Sequence, residues 1–224
     1  MAATKTEILT AGDKFALFLQ KYRRAFWGLL GIMIAGVIGF VLFFTVRNAI
    51  QNRAIVTLEA LEKRKADLGD LGDPSKSMEV QAVLEEINAF APKTFGYASA
   101  KAYSLAADIY AARGEWAPAE EAWAASAERS PGIYLAPQSL YSAAVAAEEQ
   151  GNLDKALEYY NRALAFSGVF PAFQRAQFNI GRIYEAQNNK TAASEAYRNL
   201  IEKSSPDSNW AKLAQSRIIF LEME

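Results

Sequence analysis

Residues 103–126 read YSLAADIYAARGEWAPAEEAWAAS, residues 140–163 read LYSAAVAAEEQGNLDKALEYYNRA, and residues 177–200 read QFNIGRIYEAQNNKTAASEAYRNL. Set in register, the first gives Tyr103-x2-Ala106-Ala107-x2-Tyr110, then Gly114 and Ala119-x3-Trp123. The second gives Leu140-x2-Ala143-Ala144-x2-Ala147, Gly151 and Ala156-x3-Tyr160, and the third Gln177-x2-Ile180-Gly181-x2-Tyr184, Asn188 and Ala193-x3-Tyr197. The breakers at 114, 151 and 188 recur every 37 residues. Apolar residues at 3–4 spacing on both sides of a breaker describe a pair of helices, and a constant period describes a stack of such pairs. Small residues at Ala107, Ala144 and Gly181, and at Ala119, Ala156 and Ala193, let the paired helices cross closely. The aromatics Trp123, Tyr160 and Tyr197 are large enough to fill the gap to the following pair.

Outward from these units the helical reading continues. Residues 77–91, SMEVQAVLEEINAFA, end at Pro92 and read as the second helix of a degenerate earlier pair. The first helix of that pair is a stalk with a stripe of Ala54, Leu58, Leu61 and Leu68, suited to packing on the chain's own next helix. After Pro206, the residues Trp210, Leu213, Ala214, Ile218 and Leu221 make one apolar face, that of a capping helix. No stretch alternates with the period of a strand. Asp70 and Asp73 lie in the turn GDLGDP, with Asp67 just before it, and the three lack the spacing of a calcium loop, since counting back from Glu79 lands on Leu68. They are read as a solvated turn.

Far upstream, residues 26–46 read FWGLLGIMIAGVIGFVLFFTV, without a charge or a proline. About 20 apolar residues at a 1.5 Å rise cross a hydrocarbon core of about 30 Å, so this is read as one membrane span. It is longer than the core of a cleaved signal peptide, and Thr45-Val46-Arg47 offers no small-x-small cleavage site, so the span is expected to stay attached. Gly31, Ala35 and Gly39 recur every fourth residue, which is either a face for another membrane helix or the ordinary glycine content of spans. Phe15, Phe18, Leu19, Tyr22 and Phe26 share a helical face ahead of it, either an amphipathic segment along the headgroups or simply the start of the membrane helix. Residues 11–25 hold four basic side chains and residues 47–61 hold two, Arg47 and Arg53, which favours a cytoplasmic N-terminus and an exported C-terminal domain; a longer second window that reaches Lys65 removes the difference.

The expected organisation is thus all-α: a basic tail (1–25), a transmembrane helix (26–46), a stalk with a degenerate repeat (47–96), the array (97–206) and a capping helix (207–224). Residues 1–46 carry five basic and two acidic residues, leaving 19 basic and 23 acidic for the rest of the chain. A mildly acidic soluble portion gives no support for nucleic-acid binding. The chain has no cysteine and no histidine, which removes thiol nucleophiles, thiolate and imidazole metal sites and any Ser–His–Asp triad. Glu120/Glu121 and Glu148/Glu149 are neighbours in sequence and point apart on a helix, so neither is a catalytic dyad. No catalytic residue, metal, cofactor or small-molecule substrate is expected. Asn189-Lys190-Thr191 has the form of a glycosylation sequon, which matters only in a eukaryotic lumen.

The 37-residue unit resembles the tetratricopeptide repeat, with its W-x2-L-G-x2-Y…A-x3-F…P pattern over about 34 residues. The extra residues fall in the joints SPGIYLAP and SGVFPAF. The resemblance implies a solenoid of about three full repeats, a degenerate N-terminal pair and a C-terminal cap, with the first helix of each pair lining a concave groove. Carried onto this chain, that groove takes Lys101, Ser104 and Asp108, then Gln138, Tyr141, Val145 and Glu148, then Arg175, Phe178, Asn179, Arg182 and Glu185. Some members grip a C-terminal carboxylate with Lys, Asn and Arg from three repeats; only Arg175, Asn179 and Arg182 match here, and the first repeat departs from the pattern. A Tyr/Phe/Arg lining suits an extended or helical peptide.

The layout of basic tail, span, stalk and array resembles the bacterial inner-membrane family that includes the ancillary periplasmic subunit of the Sec translocon. That resemblance implies a membrane-anchored adaptor for protein translocation or chaperone recruitment, with translocon components, unfolded clients or chaperones as partners. The alternatives are a scaffold subunit of an envelope machine and a cytosol-facing import receptor.

Overall fold

The computed structural model describes residues 11–129, 135–166, 168, 170–205 and 207–223. The first ten residues, Pro131 and Pro206, and the side chains of Lys14 and Leu19, on which parts of the sequence reading rest, lie outside the described set. Among the described residues the regular structure is entirely helical. The helices are α1 (Ala11–Leu68), α2 (Ser77–Phe90), α3 (Gly96–Ala112), α4 (Trp116–Arg129), α5 (Leu135–Glu149), α6 (Leu153–Leu164), α7 (Phe173–Ala186), α8 (Lys190–Glu202) and α9 (Asn209–Met223). Short 3-10 turns at Pro74–Lys76 and Ala91–Lys93 flank α2. The chain divides into two compact units, one up to Asn52 and one from Arg53 to Glu224.

The described part of the first unit is helix, and its large apolar side chains from Phe26 and Trp27 to Phe44 and Val46 are exposed, save a half-buried Leu30. This helix is apolar enough to cross a membrane. It is helical from Ala11 onward.

In the second unit, the joints between paired helices are built alike. Gly114, Gly151 and Asn188, the residues 37 apart, take φ of 72°, 73° and 58°. This is left-handed backbone, which glycine adopts freely and asparagine tolerates. Each joint closes with the same return bond to the helix before it: Glu115 N–H to the Tyr110 carbonyl (2.9 Å), Asn152 to Ala147 (2.9 Å), and Asn189 to Tyr184 (2.8 Å). These bonds satisfy carbonyls that a helix end would leave unpaired. Asn152 and Asn189 then cap the next helices by accepting from Lys155 N–H (3.2 Å) and Ala192 N–H (3.1 Å). Pro118 and Pro137 fall in first turns, where a missing N–H costs nothing.

The small residues of the repeat lie at the helix crossings. Ala107, Ala119, Ala144, Ala156 and Ala193 are fully buried. At Gly181 even one added carbon would lie 2.6 Å from Cζ of Tyr197, so the α7–α8 crossing requires glycine. One core runs from Ala107 to Ala196 through α3–α8, another joins Ala54, Leu58 and Leu61 to α2 and α3, and a third joins α8 to α9. The acidic turn after α1 is organised by its own backbone. Gly69 takes φ of 69°, Asp70 accepts from Gly72 N–H (2.9 Å), and Asp73 accepts from Ser75 N–H (2.9 Å).

Candidate interaction face on the first helices

The expected groove residues sit on α3, α5 and α7, and they fall into three environments. On α3, Lys101 and Asp108 are half-buried and ion-paired to the second unit's part of α1: Lys101 to Glu62 (3.4 Å) and Asp108 to Lys65 (2.6 Å). Arg64 adds a pair with Glu86 of α2. Both charged groups that the sequence assigned to this part of the groove are therefore engaged by the chain itself.

Between α5 and α7 the polar groups form one connected set. Tyr160, from α6, is fully buried, and its hydroxyl donates to Glu148 (2.5 Å). The Asn179 amide donates to the same hydroxyl (2.8 Å) and to that of Tyr141 (3.4 Å). Arg182 pairs with the other oxygen of Glu148. The Tyr141 ring is only 6% exposed, packed against Tyr160 (5.4 Å between centroids) and Phe170 (6.1 Å). It therefore presents an edge rather than a free side chain. Burial, then the hydrogen bond to Glu148 and that carboxylate's charge, push the Tyr160 phenol far above the usual range. Burial also raises Tyr141, with Arg175 opposing. Both phenols thus remain protonated donors.

Arg175 is the exception in this region. Its guanidinium is exposed and lies over the Tyr141 ring (5.5 Å), with no carboxylate partner among the described residues. Gln138 and Val145 on α5 are half-buried beside this set. A face offering one unpaired guanidinium, an aromatic edge and a partly exposed valine can hold an acidic or polar chain segment.

Between α7 and α9 the pattern of α5–α7 returns. Glu185 accepts from Arg217 Nε (3.0 Å) and from a second Arg217 nitrogen. Burial, the largest single influence, opposes its charge, but Arg217, by hydrogen bond and by charge, together with the neighbouring Tyr197 hydroxyl, outweighs it and holds the carboxyl below its ordinary value. Phe178 is half-buried against Tyr197 (5.3 Å) and Trp210 (5.5 Å). Burial, and then Glu185, raise the Tyr197 phenol as Glu148 does that of Tyr160. The Glu148–Arg182 and Glu185–Arg217 ion pairs thus bracket the first helices of successive repeats; the Tyr160 hydroxyl joins the first by a hydrogen bond, while the buried Tyr197 hydroxyl has no hydrogen-bond partner among the described residues. The sequence reading assigned Glu148, Arg182 and Glu185 to a groove lining and missed Arg217. The signal was available: Glu148/Glu185 and Tyr160/Tyr197 are each 37 apart.

Among the described residues no group of His, Cys, Asp and Glu has the arrangement of a metal site. Elsewhere, the most buried charge is Glu120 of α4, which accepts from Lys155 (2.5 Å), Gln150 (2.7 Å) and Tyr159 (3.1 Å). Three donors satisfy it, which makes it a tie between α4 and α6.

Comparison with known proteins agrees with this architecture. The tetratricopeptide repeat family matches at residues 104–169 and again at 175–208. A TPR repeat-containing protein of Treponema pallidum (strain Nichols) is 33% identical over 219 residues, covering 90% of each chain. Among solved structures, the kinesin light chain TPR-like repeats of Podosopora anserina superpose with a TM-score of 0.54 at 16% identity, covering 76% of this chain and 86% of that one. A single-residue variant of the same repeats gives 0.55 at 15% identity, covering 76% of this chain and 85% of that one. At such identities the likeness is one of fold alone.

Proposed function

The chain belongs to the tetratricopeptide-repeat proteins, whose arrays are protein-interaction scaffolds, and from that premise we propose that it is a membrane-anchored adaptor holding a protein segment on the α5–α7 face. The observation that carries this reading is Arg175, an exposed guanidinium over Tyr141 where the neighbouring charges are already paired within the chain. Lys101 and Asp108 drop out as primary contacts because α1 holds them. Gln138, Val145, Asn179 and Phe178 border the face, and Arg182 is available only at the expense of Glu148.

The anchor is the stretch Phe26–Val46, which supports a single-pass membrane protein. The greater number of basic residues before the span favours an array on the exported side. In a bacterial envelope such a face would meet emerging chains or their chaperones, the role implied by the resemblance of the layout to that of the Sec ancillary subunits.

The test is crosslinking in intact cells from a photoreactive residue at Val145, with identification of the captured proteins. Arg175→Glu should remove the adducts while thermal unfolding stays unchanged, because the guanidinium is exposed. Adducts that persist at full yield would overturn the face. A C-terminal reporter active only in the cytoplasm would overturn the exported orientation.

A further inference from the structure

Helix α9 is apolar on two opposite sides. One side, Ala211, Ala214, Ile218 and Leu221, is buried, with Ala214, Ile218 and Leu221 packed in the core shared with α8. A helix that closes a repeat array ordinarily turns a polar face outward. Here the outward side carries Leu213, Ile219, Phe220 and Met223, exposed at 44%, 50%, 46% and 82%. With Lys212 and Ser216 these stand at the 3–4 spacing of a helix-packing stripe.

The stripe is nearly symmetric about Ser216. Leu213 lies three residues before it and Ile219 three after; Lys212 lies four before and Phe220 four after. Ser216 is small, and its hydroxyl is already spent on the Lys212 carbonyl (3.1 Å). The centre of the stripe can therefore be approached closely without stranding a polar group. Charge selects the direction of approach. Lys212 has no carboxylate partner among the described residues, and Glu222 has only a 3.6 Å contact with Arg198, both of those side chains well exposed. An antiparallel copy centred on Ser216 sets Leu213 against Ile219 of the other copy and brings each Lys212 to the same flank as the other Glu222. A parallel copy would set Lys212 against Lys212.

We propose that the outer face of α9 is a self-association surface, on which a second copy of this chain packs its own α9 antiparallel about Ser216. One helix face falls below the ~1,200 Å² that standard interfaces bury, so the contact is weak in dilute solution. Concentration of copies in one plane would raise its occupancy. The gain in occupancy rests on the proposed membrane anchor, but the surface does not involve the α5–α7 face, so the two faces stand or fall separately.

Because the chain has no cysteine, Ser216→Cys in the full-length protein introduces the sole thiol. A disulfide across the axis requires the two Cα atoms to come within about 7 Å. Mild oxidation of membranes carrying this variant should give a covalent species of twice the chain mass. Glu121→Cys, on the exposed side of α4, should not. Adding Phe220→Glu or Leu213→Lys to Ser216→Cys should reduce the dimer at least tenfold, while Arg175→Glu should leave it intact. The thermal midpoint of each variant is measured alongside, and at least one of the two stripe variants must match the parent for the loss to count. A Ser216→Cys dimer no stronger than that of Glu121→Cys overturns the proposal. So does a dimer indifferent to both stripe substitutions in folded protein, or a crosslink to a different protein in its place.

Discussion

At the scale of single residues, the repeat depends on a few positions whose geometry admits little choice. Asn188 occupies the left-handed joint that Gly114 and Gly151 occupy in the other two units (φ 58° against 72° and 73°). A side chain there carries a steric cost that glycine lacks, so Asn188→Gly should stabilise the protein by roughly 1 kcal/mol in chemical denaturation. Tyr160 is held the other way, by hydrogen bonds rather than sterics. Its phenol donates to Glu148 and accepts from Asn179, and its pKa is raised above the ordinary 10.0. A phenol whose folded-state pKa is raised stabilises fully below its unfolded value, and that stability is lost as pH rises beyond it. Unfolding free energy should therefore fall with alkalinity above about pH 10. Tyr160→Phe should cost about 1–3 kcal/mol at neutral pH and flatten part of that alkaline slope. A variant with an unchanged slope would remove Tyr160 from the account.

The elements differ in what holds them. From Arg53 on, α1 is bound by apolar burial as well as by its ion pairs with α2 and α3. Leu58 is 2% exposed, beside Leu61 and Ala54. Leu58→Ala should cost about 2–5 kcal/mol, read as a lower thermal midpoint. Replacing Lys65 should cost much less, since partly exposed pairs contribute about 0–1 kcal/mol. Upstream, most of the large apolar side chains between Phe26 and Val46 are exposed. Replacing residues 26–46 by leucines of equal number separates a plain tether from a span that Gly31, Ala35 and Gly39 equip for another membrane helix. Membrane attachment should persist in both cases, and loss of co-purified membrane proteins would identify the second. In the array, helix existence and pairing were legible because breakers and small residues recur every 37 positions. The uses of the charged side chains were not. Lys101 and Asp108 face α1 because α1 packs on α2 and α3, a neighbour far away in sequence. Arg182 and Arg217 stand one helix pair away from the carboxylates they hold.

At the scale of the molecule, the second unit is a chain of nearest-neighbour contacts, and such arrays lose cooperativity where one crossing fails. Gly181 is the place to break it. Gly181→Leu would drive a side chain into the buried Tyr197 ring and separate α7 from α8. Hydrogen exchange should then quicken across α7–α9 while α3–α5 keep their protection. Uniform loss over the whole array would mean that it folds as one cooperative block. By itself, the sequence determined the all-helical class, the period, the positions of the joints and the apolar stretch long enough for a bilayer. Each of these follows from local sterics or from the spacing of apolar residues along one helix. Only the tertiary structure decided which charges are free. The pairs that tie helices together join side chains as far apart in sequence as Arg64 and Glu86 or Lys65 and Asp108, and they depend on the rotation of each helix against its neighbour. Arg175 and Arg182 look alike in sequence; packing leaves the first exposed over Tyr141 and gives the second to Glu148.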